Sequence, residues 1–125
     1  MEKINKKILI MEDDKSYLWI LRQGFESAGF SVVFAQDGED GLKMIAEEKP
    51  DLVMLDIIMP KMDGIEVARQ MKEGGINIPK MFLTNMSDAD HMSRAIETKP
   101  SDYIIKSDVP VDQIVARVKD KLGVK

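Results

Sequence analysis

Short apolar runs alternate along the chain with stretches whose apolar positions recur at helical spacing. This is the pattern of repeated strand-helix units built on a mostly parallel sheet. Strands are predicted from Ile8 to Met11, Ser31 to Ala35, Leu52 to Ile57, Pro79 to Thr84 and Tyr103 to Ile105. The third run is almost continuously apolar, as suits a strand covered on both faces, so it takes the centre of the sheet. Five helices are predicted between and after the strands. Leu18, Leu21, Phe25 and Ala28 mark the first, with Gly29 as its stop, and Leu42, Ile45 and Ala46 mark the second after an Asp37-Gly38 turn. Ile65, Ala68 and Met71 mark the third, closed by Gly74-Gly75, and Met92, Ala95 and Ile96 mark a weaker fourth. The fifth carries Val111, Ile114, Val115, Val118 and Leu122 on one face and Pro110 near its first turn.

The length of 125 residues fits one domain, spanning residues 1–125, with no linker, internal repeat or low-complexity segment. Apolar residues at 44% and charged residues at 32% can bury a sizeable core and exclude the profile of a disordered chain. A net charge of -4 repels phosphate backbones and anionic lipid, which argues against nucleic acid or membrane as a direct partner. Cysteine is absent, so disulfides, thiolate metal sites and thiol nucleophiles are excluded. No apolar run approaches the roughly 20 residues that span a bilayer, and the N-terminal segment runs straight into the first strand, so a cytoplasmic location is expected.

In an open parallel sheet, the working site lies beyond the carboxyl ends of the strands, where the strand order reverses. There the first strand ends in Glu12, Asp13 and Asp14, the third in Asp56 and the fourth in Thr84, while Lys106 follows the fifth. Clustered carboxylates repel one another at a cost that a hard divalent cation offsets. Glu12, Asp13 and Asp56 suit that task, and a carboxylate is also a competent nucleophile toward phosphorus. Lys106 would add a fixed positive charge and Thr84 a hydroxyl donor. Plainer roles compete at several positions. Asp14 is equally a helix N-cap, Asp63-Gly64 is better read as the cap and turn opening the third helix, and Tyr103 as an ordinary strand aromatic is the alternative to a role at the site. Met54, Met71 and Met81 read as core fillers, Trp19 as a partly exposed residue off its helix stripe, and His91 as a surface residue without a ligand partner.

The runs ILIMEDD at 8–14, PDLVMLDIIMPKMDG at 50–64, Leu83-Thr84 and DYIIK at 102–106 closely resemble the receiver domains of two-component response regulators. The resemblance runs in order over nearly the whole chain. It implies a flavodoxin-like, doubly wound α/β fold with a five-stranded parallel sheet in the order 2-1-3-4-5 and five helices. It further implies Asp56 as phospho-acceptor and Glu12, Asp13, Asp56 and the main-chain carbonyl of Ile58 as ligands of Mg²⁺, with Mn²⁺ as an alternative. Lys106 is the implied phosphate-pairing base, and Thr84 with Tyr103 the pair that rearranges on phosphorylation. A sensor histidine kinase or phosphotransfer protein is the implied donor. A downstream effector would read the surface of the fourth helix, fifth strand and fifth helix. Such a domain assists its own phosphorylation and dephosphorylation and is not otherwise an enzyme.

Four positions depart from the family pattern. Ser107 replaces the usual proline after the lysine, so the Lys106-Ser107 peptide is expected to be trans, a cis form costing about 3–4 kcal/mol without proline. Lys99-Pro100 replaces a Gly-Ala pair and ends the fourth helix at or before Thr98, and Asn85 replaces a small residue beside Thr84. Ile58 and Met86 offer no group that orients water, which predicts a long-lived phosphoryl aspartate. A haloacid-dehalogenase-type phosphohydrolase is the rival enzyme, but it needs a second aspartate where Ile58 stands. A nucleotide-binding domain is disfavoured because neither glycine-rich phosphate loop follows the first strand. A degenerate receiver, acting as a phosphorylation-independent binding module, is the other alternative.

Overall fold

The computed structural model describes residues 3–85 and 103–124. Five parallel strands form one sheet: β1 (Lys7–Met11), β2 (Ser31–Ala35), β3 (Leu52–Asp56), β4 (Lys80–Thr84) and β5 (Tyr103–Ile105). Their order is β2-β1-β3-β4-β5, so the expected doubly wound, flavodoxin-like arrangement is present, with β3 at its centre and buried throughout. Four helices occur among the described residues: α1 (Lys15–Ser27), α2 (Gly38–Glu48), α3 (Gly64–Glu73) and α4 (Val111–Leu122). The last is the fifth helix of the sequence reading, because the helix expected around Met92, Ala95 and Ile96 lies outside the described residues. So do His91, Met86 and the Lys99-Pro100 pair.

Alternation along the strands sorts the core into two layers. On one face Ile8, Ile10, Leu52, Met54, Met81, Leu83 and Ile104 meet Leu18, Leu21 and Phe25 of α1 and Ile114, Val115 and Val118 of α4. On the other, Leu9, Met11, Val53, Leu55 and Phe82 meet Ile45 of α2 and Val67, Ala68 and Met71 of α3. Met54, Met71 and Met81 are fully buried, as expected of core fillers, and Trp19 is 62% exposed. The expectation fails at Ala46, which is exposed, because α2 buries the stripe of Gly38, Gly41 and Ile45 instead. A Cβ at Gly41 would stand 2.2 Å from the sulfur of Met11, so a side chain of β1 fills the space that a larger residue would occupy.

Local chemistry sets the helix ends. Asp14, Asp37 and Asp63 each occupy an N-cap, and their carboxylates accept from free backbone N–H groups of the first turn: Ser16 and Tyr17, Asp40, and Glu66 respectively. Asp14 is therefore a cap, and Asp63-Gly64 opens α3 as predicted. At the end of α1, Gly29 takes φ of 103° and the Phe30 N–H donates back to the Phe25 carbonyl, the glycine stop expected there. Lys49 closes α2 with φ of 48°, a left-handed cap without glycine. No cis peptide occurs among the described residues, so Lys106-Ser107 is trans as expected.

Candidate functional site

The register of the sheet brings the candidate side chains together. Met11 of β1 pairs with Leu55 of β3, so Glu12 and Asp56 emerge side by side at the crevice where the chain order reverses. Thr84 of β4 pairs with Ile105 of β5, and the Lys106 N–H donates to the Thr84 carbonyl at 2.8 Å, which delivers the lysine to the same rim. Gly64 lies against the backbone at the end of β3. A Cβ there would lie 2.3 Å from the Asp56 carbonyl oxygen, so only glycine lets the start of α3 approach the end of β3 this closely. The Gly64 N–H donates to the Ile57 carbonyl at 2.9 Å. The resulting cleft, about 480 Å³, is lined by Glu12, Asp13, Asp14, Tyr17, Asp56, Ile58, Asn85, Lys106 and Ser107.

Lys106 ties the cluster together. Its Nζ donates to Asp56 Oδ2 at 3.0 Å and stands 2.5 Å from Glu12 Oε1, and it lies 5.1 Å from the centre of the Tyr17 ring. Glu12 Oε1 is nevertheless off the line of a hydrogen bond and has no partner of proper geometry, whereas Oε2 accepts the Asp14 N–H at 3.1 Å. The contact to Oε1 is an ion pair, and it leaves a fully buried oxygen with unused capacity. Burial pushes the Glu12 carboxyl up to about 8, and the hydrogen bond and negative charge of Asp56 add to it, against the opposing pull of Lys106 and the Asp14 N–H. Burial works to lower the Lys106 ammonium, but Glu12 and Asp56 outweigh it and hold the group above the usual lysine range.

Carboxylate oxygens of Glu12, Asp13 and Asp56 lie within 4.8 Å of one another, Asp13 exposed and the other two buried. This donor set fits a hard divalent cation: all ligands are oxygens, a cation would relieve the repulsion among them, and Glu12 Oε1, held by an ion pair alone, has acceptor capacity left. Ile58 lines the same cleft and is 59% exposed. Thr84 is buried at the rim, its hydroxyl donating to the Asn85 carbonyl at 3.0 Å. Tyr103 stands apart from the carboxylates; it is half-buried at the start of β5 and packs against the α2–α3 layer. Asn85 and Ser107 face the cleft as exposed polar residues. The sequence reading did not single out Tyr17. Its signal was available, because side chains in a helix tilt toward the N-terminus, so an aromatic in the first turn after an acidic strand end points back at that end.

The receiver domain profile of response regulators matches residues 8–119, and the chain belongs to that family. It is 38% identical over 116 residues to the alkaline phosphatase synthesis transcriptional regulatory protein PhoP of Bacillus subtilis, covering 93% of this chain and 48% of that protein. It is 34% identical over 113 residues to the response regulator MprA of Mycolicibacterium vanbaalenii, covering 90% of this chain and 48% of the relative. The chain thus spans about half the length of these curated relatives. Among solved structures, a Francisella response regulator receiver domain superposes with a TM-score of 0.85 at 26% identity, over 95% of this chain and 98% of that one. No described helix is long and apolar enough to cross a membrane.

Proposed function

We propose that this receiver domain accepts a phosphoryl group on Asp56 in a Mg²⁺-dependent step and signals through the change that follows. The observation that carries the reading is the Lys106 ammonium, held between the buried carboxylates of Glu12 and Asp56 with Asp13 within reach across the cleft. A carboxylate oxygen of Asp56 attacks phosphorus, and the bond from phosphorus to the donor's leaving atom breaks. With a phosphohistidine donor, the electron pair stays on the imidazole nitrogen and the product is an acyl phosphate. Glu12, Asp13 and Asp56, with the Ile58 carbonyl, would hold the cation, which supplies charge neutralisation to the phosphoryl oxygens. Lys106 already touches Asp56 and needs only to follow the added phosphoryl group, whose charge near -2 replaces that of the carboxylate. The Thr84 hydroxyl must leave the Asn85 carbonyl to donate to the new oxygens, and that turn is the local event a switch would transmit, with Tyr103 as its aromatic counterpart.

The donor is a sensor histidine kinase, a phosphotransfer protein or a small phosphodonor, and the reader is an effector protein or domain. The surface it would read includes β5 and α4; the helix expected before β5 lies outside the described residues. The domain is a substrate that assists its own modification, acting within the cytoplasm. Mass spectrometry after incubation with acetyl phosphate and Mg²⁺ tests the reading: one added phosphoryl on the wild type, none on Asp56→Asn and none after chelation. An unmodified wild type would favour a degenerate receiver, and sustained turnover of a phosphoester would favour a hydrolase. The phosphoryl group should persist well beyond seconds at room temperature, because the exposed apolar side chain of Ile58 orients no water at the cleft; decay within seconds would overturn that part.

A further inference from the structure

The Tyr17 ring supplies a contact to the central lysine that none of the acidic residues can replace. Its centroid lies 5.1 Å from Lys106 Nζ, within the range in which an ammonium is drawn to an aromatic face. Tyr17 lines the same cleft as Glu12, Asp13 and Asp56, and its hydroxyl is buried without a hydrogen-bond partner. Burial pushes that hydroxyl up to about 12, so the ring stays neutral wherever the site works. We propose that Tyr17 is a positioning residue for Lys106, holding the ammonium above Asp56 by the face of its ring.

The argument turns on what happens to the other two anchors. Lys106 is held by Glu12 at 2.5 Å and Asp56 at 3.0 Å, and both are carboxylates that a divalent cation would claim. Once they are drawn toward a cation, the pull on the ammonium weakens. The ring is the one contact of the three that carries no net charge, binds no hard cation and does not compete with an incoming anion. It therefore keeps the lysine stem in place through the interval in which both carboxylates change partners. Lys106 sits on the segment joining β5 to α4, and Tyr17 sits on the first turn of α1, fixed by the Asp14 cap that accepts its N–H at 3.2 Å. The contact thus joins the first turn of α1 to the segment after β5 at the cleft.

The consequence for phosphorylation rests on the reading proposed above, whereas the positioning itself is measurable without it. The probe is the Lys106 ε-methylene resonance in metal-free protein carrying no phosphodonor, compared among the wild type, Tyr17→Leu and Tyr17→Phe. The ring current should shift this signal upfield in the wild type and in Tyr17→Phe, and it should return to the ordinary lysine position in Tyr17→Leu. A signal unmoved by Tyr17→Leu overturns the proposal, and Tyr17→Met gives the same reading should the leucine variant fail to fold. With acetyl phosphate and Mg²⁺, Tyr17→Leu should be modified about five-fold more slowly, and Tyr17→Phe should recover the wild-type rate within about two-fold. Equal slowing in the leucine and phenylalanine variants would assign the effect to the hydroxyl and also overturn the proposal. A wild type that takes no phosphoryl group removes the receiver reading alone, since the resonance still decides where Tyr17 holds the lysine.

Discussion

At each rim of the sheet a lysine meets two carboxylates, and the two groupings differ in their surroundings. At the amino ends of the strands, Lys7 Nζ meets Glu48 Oε1 at 3.1 Å while the Lys7 N–H donates to Asp51 Oδ2 at 2.7 Å. At the carboxyl ends, Lys106 meets Glu12 and Asp56 at similar distances. The difference is water. The Lys7 and Glu48 side chains are each 35% exposed, whereas Lys106 is 15% exposed and Glu12 wholly buried. On the solvated rim the charges are screened and the lysine's carboxylate partners are satisfied by backbone or water. On the buried rim the same groups cannot all be satisfied at once, and that shortfall is what a cation and a phosphoryl group are suited to fill.

The contrast is broken most directly at its buried lysine. Lys106→Met removes the only cation between Glu12 and Asp56 among the described contacts and should cost about 3 kcal/mol of stability in metal-free protein at pH 8. The cost should shrink toward pH 5, where the Glu12 carboxyl, pushed up to about 8 by burial, takes up a proton and the repulsion is relieved. Urea unfolding of the variant across this range measures it; a loss under half a kcal/mol at pH 8 would mean that burial does not distinguish the two rims.

Glu12→Gln comes next. The folded Glu12 carboxyl is pushed up to about 8 from an unfolded value near 4.5, so the native state holds more protons than the unfolded chain between these limits. The stabilisation from this group is complete below about pH 4.5 and is lost as pH rises through about 8. Glutamine keeps the neutral shape and cannot ionise. The variant should therefore gain on the wild type by ~2 kcal/mol between pH 5 and pH 9 without metal, and added Mg²⁺ should favour only the wild type at the upper end. A stability difference that is flat with pH would place the ionised carboxylate at ease in its pocket and remove the shortfall argued for it.

Much of this was legible in the letters, and the exceptions have physical causes. The strands announced themselves because burial on both faces leaves no polar position, as in β3. Glu12, Asp13, Asp56 and Lys106 were legible because strand ends in a parallel sheet converge whatever the loops do. Ala46 misled because apolar periodicity counts methyl groups, whereas α2 packs through Gly38 and Gly41, whose contribution is the absence of a side chain. Tyr17 was overlooked because its place in the first turn of α1 aims it back at the strand end without showing what it meets there; the lysine it faces lies far away in sequence. The upward push on the Glu12 carboxyl was beyond reach for the same reason, since burial is a property of the assembled fold.

The smallest expected effect sharpens the comparison from the solvated side. Lys7→Met keeps the backbone bond from position 7 to Asp51, because the donor there is the main-chain N–H, and loses only the ammonium contacts to the Glu48 carboxylate and carbonyl at 3.1 and 3.2 Å. An exposed pair of this kind is worth less than about 1 kcal/mol. Half-molar salt should remove most of what it contributes, since screening acts on charges that water reaches. Unfolding of Lys7→Met and Glu48→Gln, singly and together, at low and high salt gives the coupling between them. It should fall toward zero with salt, whereas the loss in Lys106→Met should hardly change. A Lys7 coupling as large and as salt-resistant as the one at Lys106 would show that rim position alone sets the energetics, and burial would no longer explain why chemistry is expected at one end of the sheet and not at the other.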